Sequence, residues 1–538
     1  MRHLAATAVV ITTLGVQGPA ALPKDTPVAT ITLEELRDHV CFLASDFLGG
    51  RRPYDAGYSI AAEYAATQLQ GAGVGPAFTG AGGTPTYFQK VPLTRVTASI
   101  DRPFTLTTAA GERVIDTLND FKLISRGPSL NKAPMIFIGY GISEPDHGWD
   151  DLKGLDLKGK VAVMLIGAPL RDGKPVLPAE VHESYQSLAG AGRKARAPVL
   201  KDNRPDALLI IADKEASDGW DLLPDIVGLP QIQYRPGSGP GQASTPPASV
   251  AIVKGAQAEA IFAGQDYNPL AIPTRGLAGY RTFEFTDVRL GLGIRAATED
   301  FESVNVAGLV PGTDPTLAHQ VVTIGAHLDH VNPVGGKICN GADDNASGSA
   351  GVLEIAEAVA ARPFRRPVLF CLFTAEESGL IGSRHFLSAP PVPVADIIVN
   401  LNLDMIGRSD AAAGRSRTHY VIGSAQITPE LKALITAVDA RTVKWPLDFE
   451  SQESSMPGSD HYNFHRQGIP TAFFFSGRHD DLHAPTDDAE EIDFEKVQHL
   501  SQLVYEVTAE LGTRDESIRP PVAKKEPAAK KEACTAER

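Results

Sequence analysis

The chain has 538 residues, 43% of them hydrophobic, and a formal net charge of -15 at pH 7. That length exceeds one compact core, so about two to four domains are expected. The acidic balance, with no basic block before the tail, argues against a nucleic-acid surface, and no central apolar run is long enough to read as a membrane span.

The first residues read MRHLAATAVVITTLGVQGPAALPKDTP. One early arginine, an apolar segment from Leu4 to Val16 and small residues at Ala20 and Ala21 form the pattern of a cleaved secretory signal over 1–21. A secreted or periplasmic protein is therefore expected. The four cysteines, Cys41, Cys339, Cys371 and Cys534, make no C-x-x-C, and a chain of this size needs no disulfide staple.

From Thr32 the sequence TLEELRDHVCFLASDFL opens a helix, with Thr32 and Glu35 at capping-box spacing. A second helix, YSIAAEYAATQLQGAG, is expected to bury the side carrying Ile60, Tyr64 and Leu69 and to stop at Gly71 and Gly73. Both are assigned to an N-terminal part of the main domain, 22–110. Residues 111–285 differ in texture: short strand candidates such as APMIFIGYGI, GKVAVMLIG, DALLIIAD and ASVAIVKG are separated by Gly/Pro-rich turns. With no dense cluster of histidines and acids, this region reads as an inserted, mainly β accessory domain.

Residues 286–514 carry the regular pattern. VVTIGAH, RPVLFCLFTAEE, ADIIVNLNLDMIG and IPTAFFFSG are near-continuous apolar runs, as strands covered on both faces require. Between them SGSAGVLEIAEAVA and TPELKALITAVDA read as helices, the second with Thr428 as cap and Pro429 in its first turn. After residue 489 apolar residues recur at 494, 497, 500, 504, 507 and 511. The alternation predicts the α/β class: a mostly parallel or mixed central sheet flanked by helices. The tail, 515–538, cannot build a core and is expected to be disordered.

Metal-binding residue types stand at the ends of these strands. IGAHLDHV supplies His327 and Asp329, and CNGADDNASG supplies Asp343 and Asp344. FTAEESG supplies Glu376 and Glu377, LNLDMIG supplies Asp404, and GRHDDLHAPTDD supplies His479, Asp480, Asp481 and His483. Open α/β sheets place ligands beyond the carboxyl ends of their strands, so five separated segments can converge in one crevice. Imidazoles mixed with carboxylates, and no thiolate quartet, suit zinc. The donors exceed what one tetrahedral ion needs, whereas two ions about 3.5 Å apart sharing a carboxylate would use them. Of the adjacent glutamates, one can ligate while the other takes a proton from water.

These motifs resemble the M28 zinc peptidases, co-catalytic two-zinc aminopeptidases, in the form that carries an inserted protease-associated domain. LASDFLGGR, IFIGYGI with DLKGKVAVMLIG, GAHLDH, GADDNASG, TAEESGLIGS, LNLDMIG and HxPxDD occur in the family's order. The resemblance implies that His327, Asp344 and Asp404 hold one zinc and that Asp344, Glu377 and His483 hold the other, with Asp344 bridging. It implies Glu376 as general base, and Asp329 as the carboxylate that accepts a hydrogen bond from His327 and fixes its ring. SMPGSDHYNF, with Asp460 and His461, resembles a segment near the substrate pocket. One departure concerns Leu482, which stands where many relatives have a tyrosine able to aid the oxyanion. Asp343 and Cys339 fall outside the implied ligand set. The implied substrates are peptides with a free N-terminus; a dipeptidase, a carboxypeptidase, a glutaminyl cyclase and a non-enzymatic binding protein are the alternatives.

Overall fold

The structure is a computed structural model that describes residues 27–519, apart from 116–118, 187–202, 219, 221–224, 239–247, 273–275, 410–416, 424–427, 443–444 and 452–455. The expected signal segment, Cys534 and the tail from residue 520 lie outside the described residues. No helix among the described residues is long and apolar enough to cross a membrane. Two compact units form, one from the described parts of Met1–Lys90, Val304–Val331 and Ile338–Arg538, the other from Val91–Ser303 with Asn332–Lys337.

The first unit is built on a mixed sheet. Strands Val368–Phe373, Val321–His327, Ile397–Leu403 and Thr471–Phe475 lie side by side in that order, all parallel. Val306–Val310 pairs antiparallel with Val368–Leu372 at one edge, and His419–Ile422 pairs antiparallel with Thr471–Phe475 at the other. Every residue of the four parallel strands is buried, which is why their sequences are near-continuous apolar runs, broken by a few buried polar residues such as Asn400 and Asn402.

Helices cover both faces. On one, Leu33–Leu43, Ala56–Gly71, Gly348–Ala361, Pro429–Arg441 and Phe494–Thr513 share a core with the sheet. On the other, Phe386 of Ile381–Ser388 and Phe464 of His461–Arg466 pack against Phe373. All six expected positions of the final helix, from Phe494 to Leu511, are buried, each side chain contributing roughly 1.5–3 kcal/mol relative to exposure.

Local expectations meet mixed outcomes. Thr32 caps its helix, its Oγ1 accepting from Glu35 N at 3.2 Å and donating to the Glu35 carboxylate at 2.7 Å. Thr428 occupies the cap position of its helix without a side-chain cap hydrogen bond. The helix Ala56–Gly71 buries Tyr58, Ala61, Ala62, Ala65, Ala66 and Leu69, whereas Ile60 is 48% exposed. Its inner face is thus the alanine stripe, whose small side chains let the helix sit close to its neighbours, and not the face carrying Ile60. Residues 515–519 are also held: Arg519 donates to the carbonyls of Val394 and Ile397, each at 2.7 Å, and Ile518 is buried.

The second unit is wider than 111–285 because Phe88–Thr108 and Phe283–Val310, long strands without a loop to mark the change, give it most of their length. Its four quoted runs form the parallel strands Leu130–Phe137, Val161–Leu165, Ala207–Ile211 and Ser249–Val253, in that order. Phe121–Ser125 adds an antiparallel edge.

Candidate metal centre

The four parallel strands of the first unit end on the same side, and the candidate residues follow from that. His327 is the last residue of its strand, Glu376 and Glu377 come just after Phe373, Asp404 follows Leu403, and His483 lies in the loop beyond Phe475. Asp344 arrives from the irregular turn Ala342–Ser347 that leads into helix Gly348–Ala361. Asn345 fastens this turn to the Asp404 strand, accepting from Gly348 N and Met405 N and donating to Leu403 O at 3.0 Å. Ala375, Met405 and His483 are all non-glycine residues at left-handed φ of 51–57°, a local strain the surrounding packing sustains.

The six side chains converge. His327 Nε2 lies 3.2 Å from Asp344 Oδ1 and 3.3 Å from Asp404 Oδ1. His483 Nε2 lies 3.0 Å from Asp344 Oδ2 and 3.1 Å from Glu377 Oε2. Zinc bonds of about 2.0–2.1 Å in a tetrahedron set neighbouring donors about 3.3 Å apart, so each of these trios has the spacing of donors around one ion. Asp344 serves both trios, one oxygen to each. Glu376 Oε2 stands farther out, 4.0 Å from His327 Nε2. Buried acids facing imidazoles, with no thiolate among them, are the donor set that zinc prefers.

The centre opens into a cavity of about 320 Å³, lined on its apolar side by Met405, Phe473, Phe475 and Leu482, with Arg478 at the wall. Leu482 packs against the Met405, Phe473 and Phe475 cluster. Asp460 and His461 are buried but are not part of this lining, although Pro457 and Gly458 are. His461 stacks on Phe473 at 4.5 Å. Cys339 directs its thiol to the His483 carbonyl, 3.9 Å away.

The role expected of Asp329 is corrected. His327 Nδ1 meets the backbone carbonyl of Asp329 at 3.0 Å, while the Asp329 carboxylate accepts the backbone N–H of Glu376, also at 3.0 Å. The chain turns tightly after the strand, so the carbonyl two residues on reaches back to the ring and frees the carboxylate for the neighbouring strand end. Asp343 likewise supports rather than faces the cavity: its Oδ1 accepts from Gly407 N at 2.6 Å, and its Oδ2 meets His479 Nε2 at 3.2 Å. Asp481 pairs with Arg408 and accepts from Thr486, both at 2.6 Å, and Asp480 is exposed.

Three residues were not singled out from sequence. Asp487 accepts the backbone N–H groups of Asp343 and Asp344 at 2.9 and 3.1 Å, fixing the turn that presents the shared carboxylate; its place in HxPxDD was the available signal. Arg51 is fully buried, and its guanidinium donates to the carbonyls of Leu43, Leu328, Asn340 and Gly341 at 2.6–3.0 Å. His330 lies beside Glu377, Nδ1 to Oε1 at 3.1 Å; only its place as the second imidazole in HLDH hinted at this.

Electrostatics follow from the crowding. Burial, reinforced by Glu377, Asp460 and Asp404, holds the Glu376 carboxyl well above the usual range. Burial also pushes Asp329 up to about 8. Burial opposes charge on Asp344 too, but hydrogen bonds from His327 and His483 outweigh it and keep its pKa well below normal. Against burial, Asp404 and Glu376 raise His327.

Residues 305–508 match the model of peptidase family M28. The matched segment contains all six converging side chains. The chain is 31% identical over 220 residues to aminopeptidase YwaD of Bacillus subtilis, covering 39% of this chain and 45% of that protein. It is 27% identical over 237 residues to a probable leucine aminopeptidase of Trichophyton verrucosum, covering 41% and 61%. It thus spans about half the length of the curated relatives it matches. An aminopeptidase from Aneurinibacillus sp. strain AM-1 superposes with a TM-score of 0.57 at 18% identity, covering 92% of this chain and 97% of that one. BSAP, a zinc aminopeptidase from Bacillus subtilis, gives 0.55 at 19%, covering 90% and 97%. At those identities the likeness is one of fold.

Proposed function

We propose that the chain is a two-zinc aminopeptidase that hydrolyses the first peptide bond of substrates with a free N-terminus. The observation that carries this reading is the division of Asp344, whose two oxygens serve two separate His/carboxylate trios while Glu376 stands just outside both. His327, Asp344 and Asp404 would hold one ion; Asp344, Glu377 and His483 the other. When bound, the ions supply Lewis acidity and draw the pKa of water toward neutrality.

The chain's own groups supply the rest. Glu376, fixed through its backbone by Asp329, takes a proton from the attacking water and returns it to the departing amine. Met405, Phe473, Phe475 and Leu482 form an apolar wall suited to an apolar N-terminal side chain. Because position 482 carries no hydroxyl, no tyrosine there assists the oxyanion.

A panel of amino-acid p-nitroanilides with N-acetylated controls, assayed on protein of counted zinc content, tests the activity. Cleavage of unblocked leucine and phenylalanine derivatives with blocked ones inert is expected; cleavage of blocked substrates, or ring closure of N-terminal glutamine without hydrolysis, overturns it. We also propose that the protein is exported, on the strength of the Leu4–Val16 segment and the small residues after it, and that the insertion is a protease-associated domain, on the resemblance of IFIGYGI and DLKGKVAVMLIG.

A further inference from the structure

We propose that His330 is a positioning residue for the metal centre: it holds Glu377 by one carboxylate oxygen so that the other points at the ion shared with His483. The inference rests on the two-zinc reading and adds to it a histidine outside the ligand set.

The His330 side chain is fully buried. Its Nδ1 faces carboxylate oxygens, Glu377 Oε1 at 3.1 Å and Asp344 Oδ2 at 3.7 Å, and its Nε2 has no hydrogen-bond partner among the described residues. A lone pair directed at a carboxylate would be repelled, so Nδ1 carries the proton and donates. The two oxygens of Glu377 are thereby divided, Oε1 to His330 and Oε2 to His483 Nε2 at 3.1 Å. A ligating carboxylate fixed in this way loses its freedom to swing out of the site, which is how groups behind the ligands raise metal affinity.

The ring is itself confined. A Cβ on Gly341, whose φ is +61°, would fall 2.6 Å from His330 Cγ, so that face of the ring rests on bare backbone. His330 N donates to the Arg51 carbonyl at 3.4 Å, and Arg51 in turn grips the carbonyls of Leu328, Asn340 and Gly341. His483 meets the ring edge to face, centroids 5.7 Å apart at 72°. Two segments that carry ligands and one that carries none together form the seat.

The test compares zinc stoichiometry and affinity of the wild type, His330→Ala and His330→Asn by competition with a chromogenic chelator, with circular dichroism of the zinc-free proteins as the control for folding. Asparagine can donate from near the Nδ1 position but is a poor zinc ligand. Alanine is expected to weaken one of the two ions about 10–100-fold, and asparagine to restore most of the loss. Unchanged affinity in the alanine variant overturns the proposal. So does an asparagine variant as weak as alanine, since the ring would then act as a direct ligand or by packing alone. A wild type that binds no zinc defeats the two-zinc reading instead, a separate result visible before any variant is made.

Discussion

Replacing Glu376 by glutamine removes one chemical property and little else. The amide has the volume of the carboxylate, and the backbone N–H stays on Asp329 at 3.0 Å. The nearest imidazole is 4.0 Å from Glu376 Oε2, against 3.2 and 3.3 Å for the carboxylates of the His327 trio, so no ligand is lost and both ions should remain. What disappears is a proton acceptor next to the attacking water. Positioned acid–base groups are worth about 10²–10⁴ in rate. At 1.36 kcal/mol per tenfold, that raises the barrier by about 2.7–5.4 kcal/mol. Burial already disfavours the charged form of Glu376, so a neutral amide should not lower the thermal stability of the zinc-free protein. Leucine p-nitroanilide kinetics on variant and parent, each with zinc counted by plasma mass spectrometry, should show kcat falling by that factor, KM little changed and two zincs retained. Loss of an ion would make Glu376 a ligand, and a kcat within tenfold of the parent would remove it from proton transfer; either result refutes the reasoning.

Asp344→Ala takes a corner from both trios, so zinc content should drop below two per chain; two tightly held ions in that variant would reject the shared role. In the zinc-free protein the facing carboxylates raise His327 despite its burial, so protons occupy the site at low pH and must leave when zinc enters. The raised pKa favours the protonated, metal-free form below it; zinc affinity should therefore climb with pH and go on climbing above the ordinary imidazole range near about 6.5, with proton release seen by calorimetry in buffers of different ionisation heat. A flat profile would contradict the assignment. Asp329→Ala strands the buried Glu376 N–H at a cost of about 1–3 kcal/mol and should lower kcat with zinc retained, while Asp329→Asn, whose amide oxygen can still accept, should recover most of it. If asparagine is as poor as alanine, charge rather than the hydrogen bond is what Asp329 provides.

The sheet of the first unit was legible because four strands buried on both faces must be written as apolar runs, and their ends then announce the converging acids and histidines. The final helix was legible for the same reason, its apolar spacing being its packing face. The inner face of Ala56–Gly71 was not, because alanines bury little area and give a weak signal beside Ile60 and Tyr64. Short-range geometry decided the Asp329 correction: a backbone carbonyl and a carboxylate of one residue compete for the same ring, and sequence names the residue without naming the atom. Arg51 was invisible for another reason. Three of its four carbonyl partners lie 277–290 positions away in the chain, and an arginine after two glycines reads as a surface residue until the fold brings those carbonyls together.

The buried acids around the centre divide into two classes, and the division explains why cations belong there. Asp329 is engaged by Glu376 N, Asp343 by Gly407 N and His479, and Asp487 by the amides of Asp343 and Asp344. Asp343 and Asp487 take donors on both oxygens and Asp329 on one, and in doing so each fixes a segment that presents another acid. Asp344, Glu376, Glu377 and Asp404 line the cavity instead, where the facing donors are imidazoles that in a zinc site must be neutral. An uncompensated carboxylate out of water costs several kcal/mol, so four held together create a demand for positive charge that neutral histidines cannot meet. The buried guanidinium of Arg51 beside them is committed to backbone carbonyls. Two divalent ions would supply four positive charges to four carboxylates, and the scaffold acids hold the backbone where those ions need it.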